Sequence, residues 1–216
     1  MSDDWQQAFE VAERTALEAG RLVMEGFRAS GRVSRKGKFD LVTEFDFASE
    51  ELIRDRIGTA FPSHRIVGEE GEASGEGAFV WYVDPIDGTV NFAHGHPYFC
   101  VSVALFHEAE GLVGIVHAPA LGITWKAARG IGAFRNDETC HVSSRSSLDE
   151  ALCTTGFPGN IAATSDTNEA EIGAFARETR GIRRCGSAAL DLAMVGDGTY
   201  DIYWERALKP WDVGGG

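Results

Sequence analysis

Two aspartates close an apolar run in the segment WYVDPIDGTVNF, residues 81–92. Asp87 follows Asp84 by three residues, and Pro85 and Gly88 stiffen and turn the chain around them. Carboxylate oxygens are hard ligands that suit Mg²⁺, which keeps some of its waters and bridges to substrate phosphate. The segment therefore indicates either a metal and phosphate site or an ordinary polar turn, and these residues alone leave both open.

Thr89, next to this turn, adds a way to hold an anion. As the N-cap of a following helix it would leave backbone N–H groups that attract phosphate. The neighbouring carboxylates would repel that phosphate unless a cation lay between them. A different interpretation is the Asp-x-Asp-Gly-Thr motif of haloacid dehalogenase-like phosphatases, with its nucleophilic first aspartate. We disfavour it because two residues separate the aspartates here, which moves the carboxylate.

Three other acidic residues could complete a cation site. Glu69 follows a predicted strand, Asp46 lies at a predicted helix start, and Asp212 lies near the end of the sequence. Each of them alone is typical of a solvated surface carboxylate. Only their combination with the two aspartates would indicate a function.

The composition limits the classes of partner. A formal net charge of −13 over 216 residues argues against direct binding of nucleic acid or of an anionic membrane. An anionic substrate would then need bound cations to hold it. No run of 18 apolar residues predicts a membrane span, and the N-terminus is too acidic and polar for a signal peptide. The four cysteines are far apart, which predicts reduced thiols and a cytoplasmic protein.

The elements that must position these residues follow from apolar spacing. The spacing predicts a hairpin or loop over 32–43 and short strands over 65–67 and 79–83, followed by a short helix. A block of alternating strands then runs from 98 to 136, and a further strand covers 152–157. Helices are predicted over 5–28, 45–60, 169–179 and 186–196, and strands over 181–185 and 199–204. Blocks of hairpins and helices favour a layered α+β fold, with one domain over 1–216.

Five segments together resemble the inositol monophosphatase family: DLVTEFD (40–46), IVGEEG (66–71), WYVDPIDGTVNF (81–92), GSAALDLA (186–193) and YWERALKPWD (203–212). They occur in the order that the family shows. The resemblance implies an αβαβα layered sandwich of the inositol monophosphatase/fructose-1,6-bisphosphatase type. Members of the family continue past WDVGGG, so we expect the C-terminal elements to be lacking. The resemblance also implies Mg²⁺-dependent hydrolysis of a phosphomonoester by water, without a phospho-enzyme.

The family's site residues carry over by position. The resemblance implies two or three Mg²⁺ ions held by Glu69, Asp84, the carbonyl of Ile86, Asp87 and Asp212. It implies a catalytic group that positions and activates the attacking water, consisting of Thr89, Asp46 and Glu69. The substrate-binding residues that it implies are Asp87, Gly88, Thr89, Ser187, Ala188, Glu205 and Asp212.

The residues after Thr89 bear on the substrate. Val90-Asn91-Phe92 is similar to the inositol phosphatase branch, whereas members that act on 3′-phosphoadenosine nucleotides usually have Lys-Glu-Phe there. The resemblance implies hydrolysis of inositol 1-phosphate or a related polyol or sugar phosphate, inhibition by lithium, and a homodimer. The alternatives are a histidinol-phosphate or other small phosphomonoester phosphatase, and a weakly active regulatory binding protein of the same fold.

Overall fold

Two long helices cover one face of the main sheet in the computed structural model, which describes residues 3–28, 33–35, 41–158, 164–165 and 167–216. They are α1 (Asp3–Gly26) and α2 (Glu44–Ala60). Small apolar side chains that recur every three or four residues along α1 are fully buried: Ala12, Ala16, Ala19 and Val23. Their size lets α1 approach the sheet closely, so the spacing predicted from the sequence is confirmed.

A reciprocal cap fixes the start of α2. The Thr43 hydroxyl accepts a hydrogen bond from the Phe45 N–H at 3.2 Å, while the Asp46 carboxylate accepts one from the Thr43 N–H at 2.7 Å. This capping box satisfies N–H groups that have no intrahelical partner. It also fixes the Asp46 carboxylate, which is fully buried beneath the first turn.

The main sheet has seven strands in the order β3-β4-β5-β6-β7-β8-β9. They are β3 (Arg65–Gly68), β4 (Phe79–Asp87), β5 (Cys100–His107), β6 (Glu110–Ala118), β7 (Ile123–Ala128), β8 (Gly132–Arg135) and β9 (Glu138–Thr139). The pair β3–β4 is parallel and the other pairs are antiparallel. Apolar residues that alternate along the central strands form the core with α1 and α2, among them Trp81, Val83, Val101, Val103 and Ile115.

A second sheet and the remaining helices complete the layers. Its parallel strands lie in the order β11-β10-β12, which are Gly181–Arg183, Leu152–Thr155 and Ile202–Trp204. Helix α5 (Ala188–Gly196) contacts strands of both sheets, and α4 (Glu169–Glu178) packs on the far side of the second sheet. A single turn, α6 (Pro210–Val213), contacts α5 and the main sheet. The layers therefore run helix, sheet, helix, sheet, helix, as the resemblance implied.

Two local expectations were wrong. Strand β4 continues to Asp87 rather than ending at the first aspartate. Helix α3 (Thr89–Ala93) has Gly88 as its N-cap, in the left-handed region at φ 96°, and Thr89 is the first helical residue. A left-handed N-cap suits glycine, which has no Cβ. The Thr89 side chain is consequently available for contacts other than capping.

The predicted hairpin near the N-terminus is confirmed in its strands, β1 (Val33–Arg35) and β2 (Leu41–Thr43), which pair antiparallel. Its turn, residues 36–40, lies outside the described residues. Among the helices that the structure describes, none combines the length and the apolar character needed to cross a membrane.

A buried histidine at the α1–sheet contact makes folding stability depend on pH. The His117 ring lies against Gly20, where a Cβ would overlap it, and its Nδ1 lies 2.9 Å from the Thr124 hydroxyl. Burial lowers the pKa of His117 from its ordinary value of 6.5 to about 4. The unfolded chain therefore takes up this proton first as the pH falls, and stability is lost between about pH 6.5 and pH 4.

We predict that wild-type protein loses about 2–3 kcal/mol more unfolding free energy between pH 7.5 and pH 4.5 than a His117→Gln variant does. Urea denaturation of both proteins in EDTA at the two pH values measures this difference. The comparison cancels the carboxylates, whose titration the two proteins share. Equal losses in the two proteins would show that folding does not lower the pKa of His117.

Candidate functional site

The end of β4 is distorted so that its two aspartates face different neighbours. Asp84 pairs with Ser102 and Asp87 with Cys100, and the register between β4 and β5 shifts between these pairs. Such a bulge re-aims side chains at the end of a strand. The Asp84 carboxylate is only 2% exposed, and its Oδ1 accepts a hydrogen bond from the Ile86 N–H at 3.1 Å. The predicted metal ligands of this segment thus lie at a rigid, buried corner.

Negative charge is concentrated around Asp84. Burial, followed by the charges of Glu69, Asp87, Asp212 and Asp46, raises the pKa of Asp84 well above its usual range. A carboxylate raises the pKa of a buried neighbour in this way only from nearby. The structure therefore brings together, at one end of β4, the five acidic residues that the sequence singled out.

Asp87 is held by the start of α5. Its Oδ2 accepts hydrogen bonds from the Ser187 hydroxyl and the Ala189 N–H, both at 2.7 Å, and its Oδ1 accepts one from the Ala188 N–H at 3.2 Å. Burial raises the pKa of Asp87 to about 7, although these hydrogen bonds oppose the rise. Ser187 and Ala188, which were predicted to contact substrate, also position a predicted metal ligand.

Thr89 and Asp46 form a direct pair. The Thr89 hydroxyl lies 3.1 Å from Asp46 Oδ1 and 3.0 Å from the Ile86 carbonyl oxygen, and it can donate its proton to either. Asp46 Oδ2 is occupied by the N–H and the hydroxyl of Thr43. Because its proton is directed at these acceptors, the Thr89 oxygen keeps its lone pairs for a further donor. A bound water is a donor of the right kind.

Glu69 and Asp212 approach the site from separate elements. Glu69 comes directly after β3, whose last residue, Gly68, lies beside Val83 of β4 in the parallel register. Asp212 lies in α6 and accepts a hydrogen bond from the Lys209 N–H at 2.6 Å. Burial raises the pKa of Asp212. The charges of Glu69 and Asp212 both help to raise the pKa of Asp84, so both side chains lie near it.

We call the five acidic residues at the end of β4 (Asp46, Glu69, Asp84, Asp87 and Asp212) the acidic corner. The acidic corner opens into a cavity of about 210 Å³. The residues that line it include Asp87, Ser187, Ala188, Arg184, Glu205 and Asp212. Glu205 accepts a hydrogen bond from the Tyr203 hydroxyl at 2.8 Å, and Gly156 leaves room for its carboxyl group. Burial raises the pKa of Glu205 to about 7. Five of the seven predicted substrate-binding residues therefore line one cavity, and two of the five, Asp87 and Asp212, are also predicted metal ligands. Gly88 and Thr89 are not among the residues that line it.

The oxygen donors are not arranged as a closed coordination shell. Within the described ranges, no three histidine, cysteine, aspartate or glutamate side chains are placed to hold a metal ion. Two of the carboxylates are turned towards backbone N–H groups, Asp87 at α5 and Asp212 at α6. Carboxylates repel one another at short range, and N–H donors relieve that repulsion. The donor set itself contains only carboxylate and carbonyl oxygens, which fits a hard divalent cation.

Asn91 supports the site through contacts that were not predicted from the sequence. Its Nδ2 donates to the carbonyl oxygens of Tyr98 and Cys185, at 2.6 and 2.8 Å. These bonds join α3 to the chain that leads into Ser187. An asparagine inside a short helix is a weak signal for such a bond, since its side chain competes with helical hydrogen bonding.

Known proteins resemble this chain over nearly its whole length. A model of the inositol monophosphatase family matches residues 4–216. The inositol-1-monophosphatase of Synechocystis sp. is 38% identical, over 99% of this chain and 75% of that protein. The Nus factor SuhB of Pseudomonas aeruginosa is 41% identical, over 98% of this chain and 81% of that protein. The structure of inositol monophosphatase from Anabaena (Nostoc) sp. matches with a TM-score of 0.90 at 37% identity, over 98% of this chain and 79% of that one.

Proposed function

The chain belongs to the inositol monophosphatase family, and we propose that it is a Mg²⁺-dependent phosphomonoesterase acting on inositol 1-phosphate or a related polyol or sugar phosphate. One observation carries the proposal. The acidic residues Glu69, Asp84, Asp87 and Asp212 converge at one end of β4, beside the Thr89–Asp46 pair. The identity of 38% to a protein named inositol-1-monophosphatase supports the same substrate class.

The acidic corner suits Mg²⁺ by the chemistry of its donors. We assign the cation ligands to Glu69, Asp84, Asp87, Asp212 and the carbonyl of Ile86. When bound, two or three Mg²⁺ ions would neutralise the charge of the carboxylates and of the phosphate, and would lower the pKa of a bound water. This explains how a chain with a net charge of −13 could accept an anionic substrate.

The protein's own groups would position the water and the phosphate. The Thr89 oxygen would accept a proton from the attacking water while its hydroxyl donates to Asp46 Oδ1, so the proton can pass to that carboxylate. The first turn of α3, which begins after Gly88, would present its N–H groups to the phosphate oxygens. No covalent intermediate is needed, because the water oxygen would bond to phosphorus as the ester phosphorus–oxygen bond breaks, and the leaving alkoxide would take up a proton from solvent.

Glu205 would contact the alcohol part of the substrate, since it lines the same cavity as Asp87 and Ser187. We expect Glu205→Gln to raise KM for inositol 1-phosphate about tenfold with kcat changed less than threefold, because a hydrogen bond to a charged group is weakened equally before and during reaction. Steady-state kinetics measures the split. A matched control is Glu150→Gln, which alters an exposed residue. A large fall in kcat with KM unchanged would contradict this role.

A substrate panel tests the proposal as a whole. Phosphate release would be measured with and without Mg²⁺ for inositol 1-phosphate, sugar phosphates, histidinol phosphate and an adenosine nucleotide phosphate. We expect the polyol or sugar phosphates to be hydrolysed in a Mg²⁺-dependent way, with inhibition by lithium. Preferred hydrolysis of histidinol phosphate would favour the other small-substrate alternative.

The 41% identity to a Nus factor favours one second candidate, a binding protein of the same fold. The same panel separates the two functions. Mg²⁺ binding without turnover of any monoester would favour the binding role. A homodimer and a cytoplasmic location stay predictions, and sedimentation analysis tests the first of them.

A further inference from the structure

We propose that Glu50 is a positioning residue that holds the Glu69 loop in place for metal binding. The inference rests on the proposed function, since it concerns a loop to which we assign a metal ligand. Glu50 lies on α2, one helical turn after Asp46, and its side chain is only 3% exposed. A buried carboxylate needs partners, because isolation from water is costly for a charge.

The partners of Glu50 are the backbone of the loop and one arginine. Its Oε2 accepts a hydrogen bond from the Glu70 N–H, and its Oε1 accepts one from the Gly71 N–H, both at 2.8 Å. Arg54 Nε donates to Oε1 at 2.7 Å. One carboxylate thus fixes the two residues that directly follow Glu69, and these bonds are stronger than neutral ones because the acceptor is charged.

Two glycines make room for this contact. A Cβ at Gly68 would overlap the Glu50 carboxyl group, and a Cβ at Gly71 would lie 2.8 Å from its Oε1. The pattern G-E-E-G around Glu69 is therefore explained by the close approach of the Glu50 carboxylate from α2. Neither glycine is in the left-handed region, so space and not backbone conformation is what the glycines provide.

Arg54 extends the same attachment to the far side of the loop. Its guanidinium donates to the Gly71 carbonyl oxygen at 3.3 Å and to the Ser74 hydroxyl at 3.2 Å. Ser74 in turn pairs with Ile66 of β3 through two backbone hydrogen bonds. Both ends of the loop are therefore tied to α2 or to β3.

Helix α2 consequently aligns three parts of the site. Asp46 contacts Thr89, the Ser49 hydroxyl donates to the Pro85 carbonyl oxygen at 3.2 Å, and Glu50 holds the loop after Glu69. A single rigid helix thus relates the water-positioning pair, the β4 bulge and the Glu69 ligand to one another. Glu50 makes no contact with the reacting atoms and acts through the loop.

The test compares Glu50→Gln with Glu51→Gln, which changes an exposed glutamate on the same helix. Mg²⁺ affinity of EDTA-stripped protein is measured by calorimetry well below the unfolding temperature. Glutamine keeps the shape but loses the charge and one acceptor, so we expect the dissociation constant of Glu50→Gln to rise about 10- to 100-fold. At saturating Mg²⁺, kcat should stay within about threefold of wild type because the reacting groups are intact. Glu51→Gln should match wild type.

A second readout needs no metal. Hydrogen exchange of the Glu70 and Gly71 amides in EDTA should accelerate at least about tenfold in Glu50→Gln, while exchange in the preceding strand β3 should be unchanged. Unchanged affinity and unchanged exchange would overturn the proposal. If Glu50→Gln does not fold, Gly71→Ala disturbs the same contact from the loop side, and unchanged Mg²⁺ affinity in that variant would overturn it equally.

The wild-type arm separates this inference from the proposed function. Mg²⁺ binding without phosphatase activity would contradict the proposed function and leave the comparison of variants decisive for Glu50. A wild-type protein that binds no divalent cation would overturn both.

Discussion

Asp84→Asn is expected to abolish phosphate release while making the metal-free protein more stable. Asparagine keeps an oxygen that can accept the Ile86 N–H, so the local geometry can persist. It removes the central charge of the acidic corner, and with it one of the residues that we assign as cation ligands. Bound cations contribute several kcal/mol to such a reaction, so turnover should fall at least about 10³-fold.

The gain in stability follows from the direction of the pKa shift. The pKa of Asp84 is raised by burial and by four neighbouring carboxylates, so its charged form is disfavoured in the folded protein. At neutral pH the unfolded chain carries Asp84 ionised, so folding must bury that charge or take up a proton, and both cost free energy. A neutral asparagine removes that cost. Stability sacrificed at a site whose groups are needed for another purpose is typical of functional residues.

Thermal unfolding in EDTA and phosphate release with Mg²⁺, measured on the same preparation, check both halves of this prediction. Asp149→Asn, which changes an exposed aspartate, serves as the matched control and should leave both quantities unchanged. A lower unfolding temperature for Asp84→Asn would show that Asp84 supports the fold. Unchanged turnover would show that the proposed mechanism is wrong.

The sequence predicted the parts of the site that lie within single short segments. Asp84, Asp87 and Thr89 lie near one another because they belong to the end of one strand and the turn that follows it. The long amphipathic helix α1 could also be predicted, since its buried alanines recur at helical spacing. In both cases the information is local, and local periodicity is what a sequence displays directly.

The contacts that could not be predicted join residues far apart in the chain. Asp87 is held by N–H groups at the start of α5, and Asn91 reaches the Cys185 carbonyl. The predicted helix-capping role of Thr89 was wrong, because Gly88 in the left-handed region is the N-cap of α3. The Thr89 hydroxyl instead contacts Asp46, the residue with which the family resemblance grouped it. Such pairings depend on how the layers pack, and residue types alone leave several partners open.

Thr89→Val should lower kcat by about 10²- to 10³-fold with little effect on Mg²⁺ affinity. Valine keeps the branched shape and removes only the hydroxyl that lies 3.1 Å from Asp46 Oδ1. Loss of a group that positions and deprotonates the nucleophile typically has an effect of this size. The cap of α2 should survive, since Thr43 still donates to Asp46 from its N–H and its hydroxyl.

Thr89→Ser is the matched control, because it keeps the hydroxyl while losing the methyl group, and its kcat should lie within about tenfold of wild type. Single-turnover kinetics at saturating Mg²⁺, together with calorimetric Mg²⁺ affinity for each variant, distinguishes chemistry from metal binding. If Thr89→Val turned over at the wild-type rate, water would have to be oriented by the metal ligands alone. If its affinity for Mg²⁺ fell instead, the hydroxyl would belong to the cation site, since its contact with the Ile86 carbonyl oxygen would then be the one that matters.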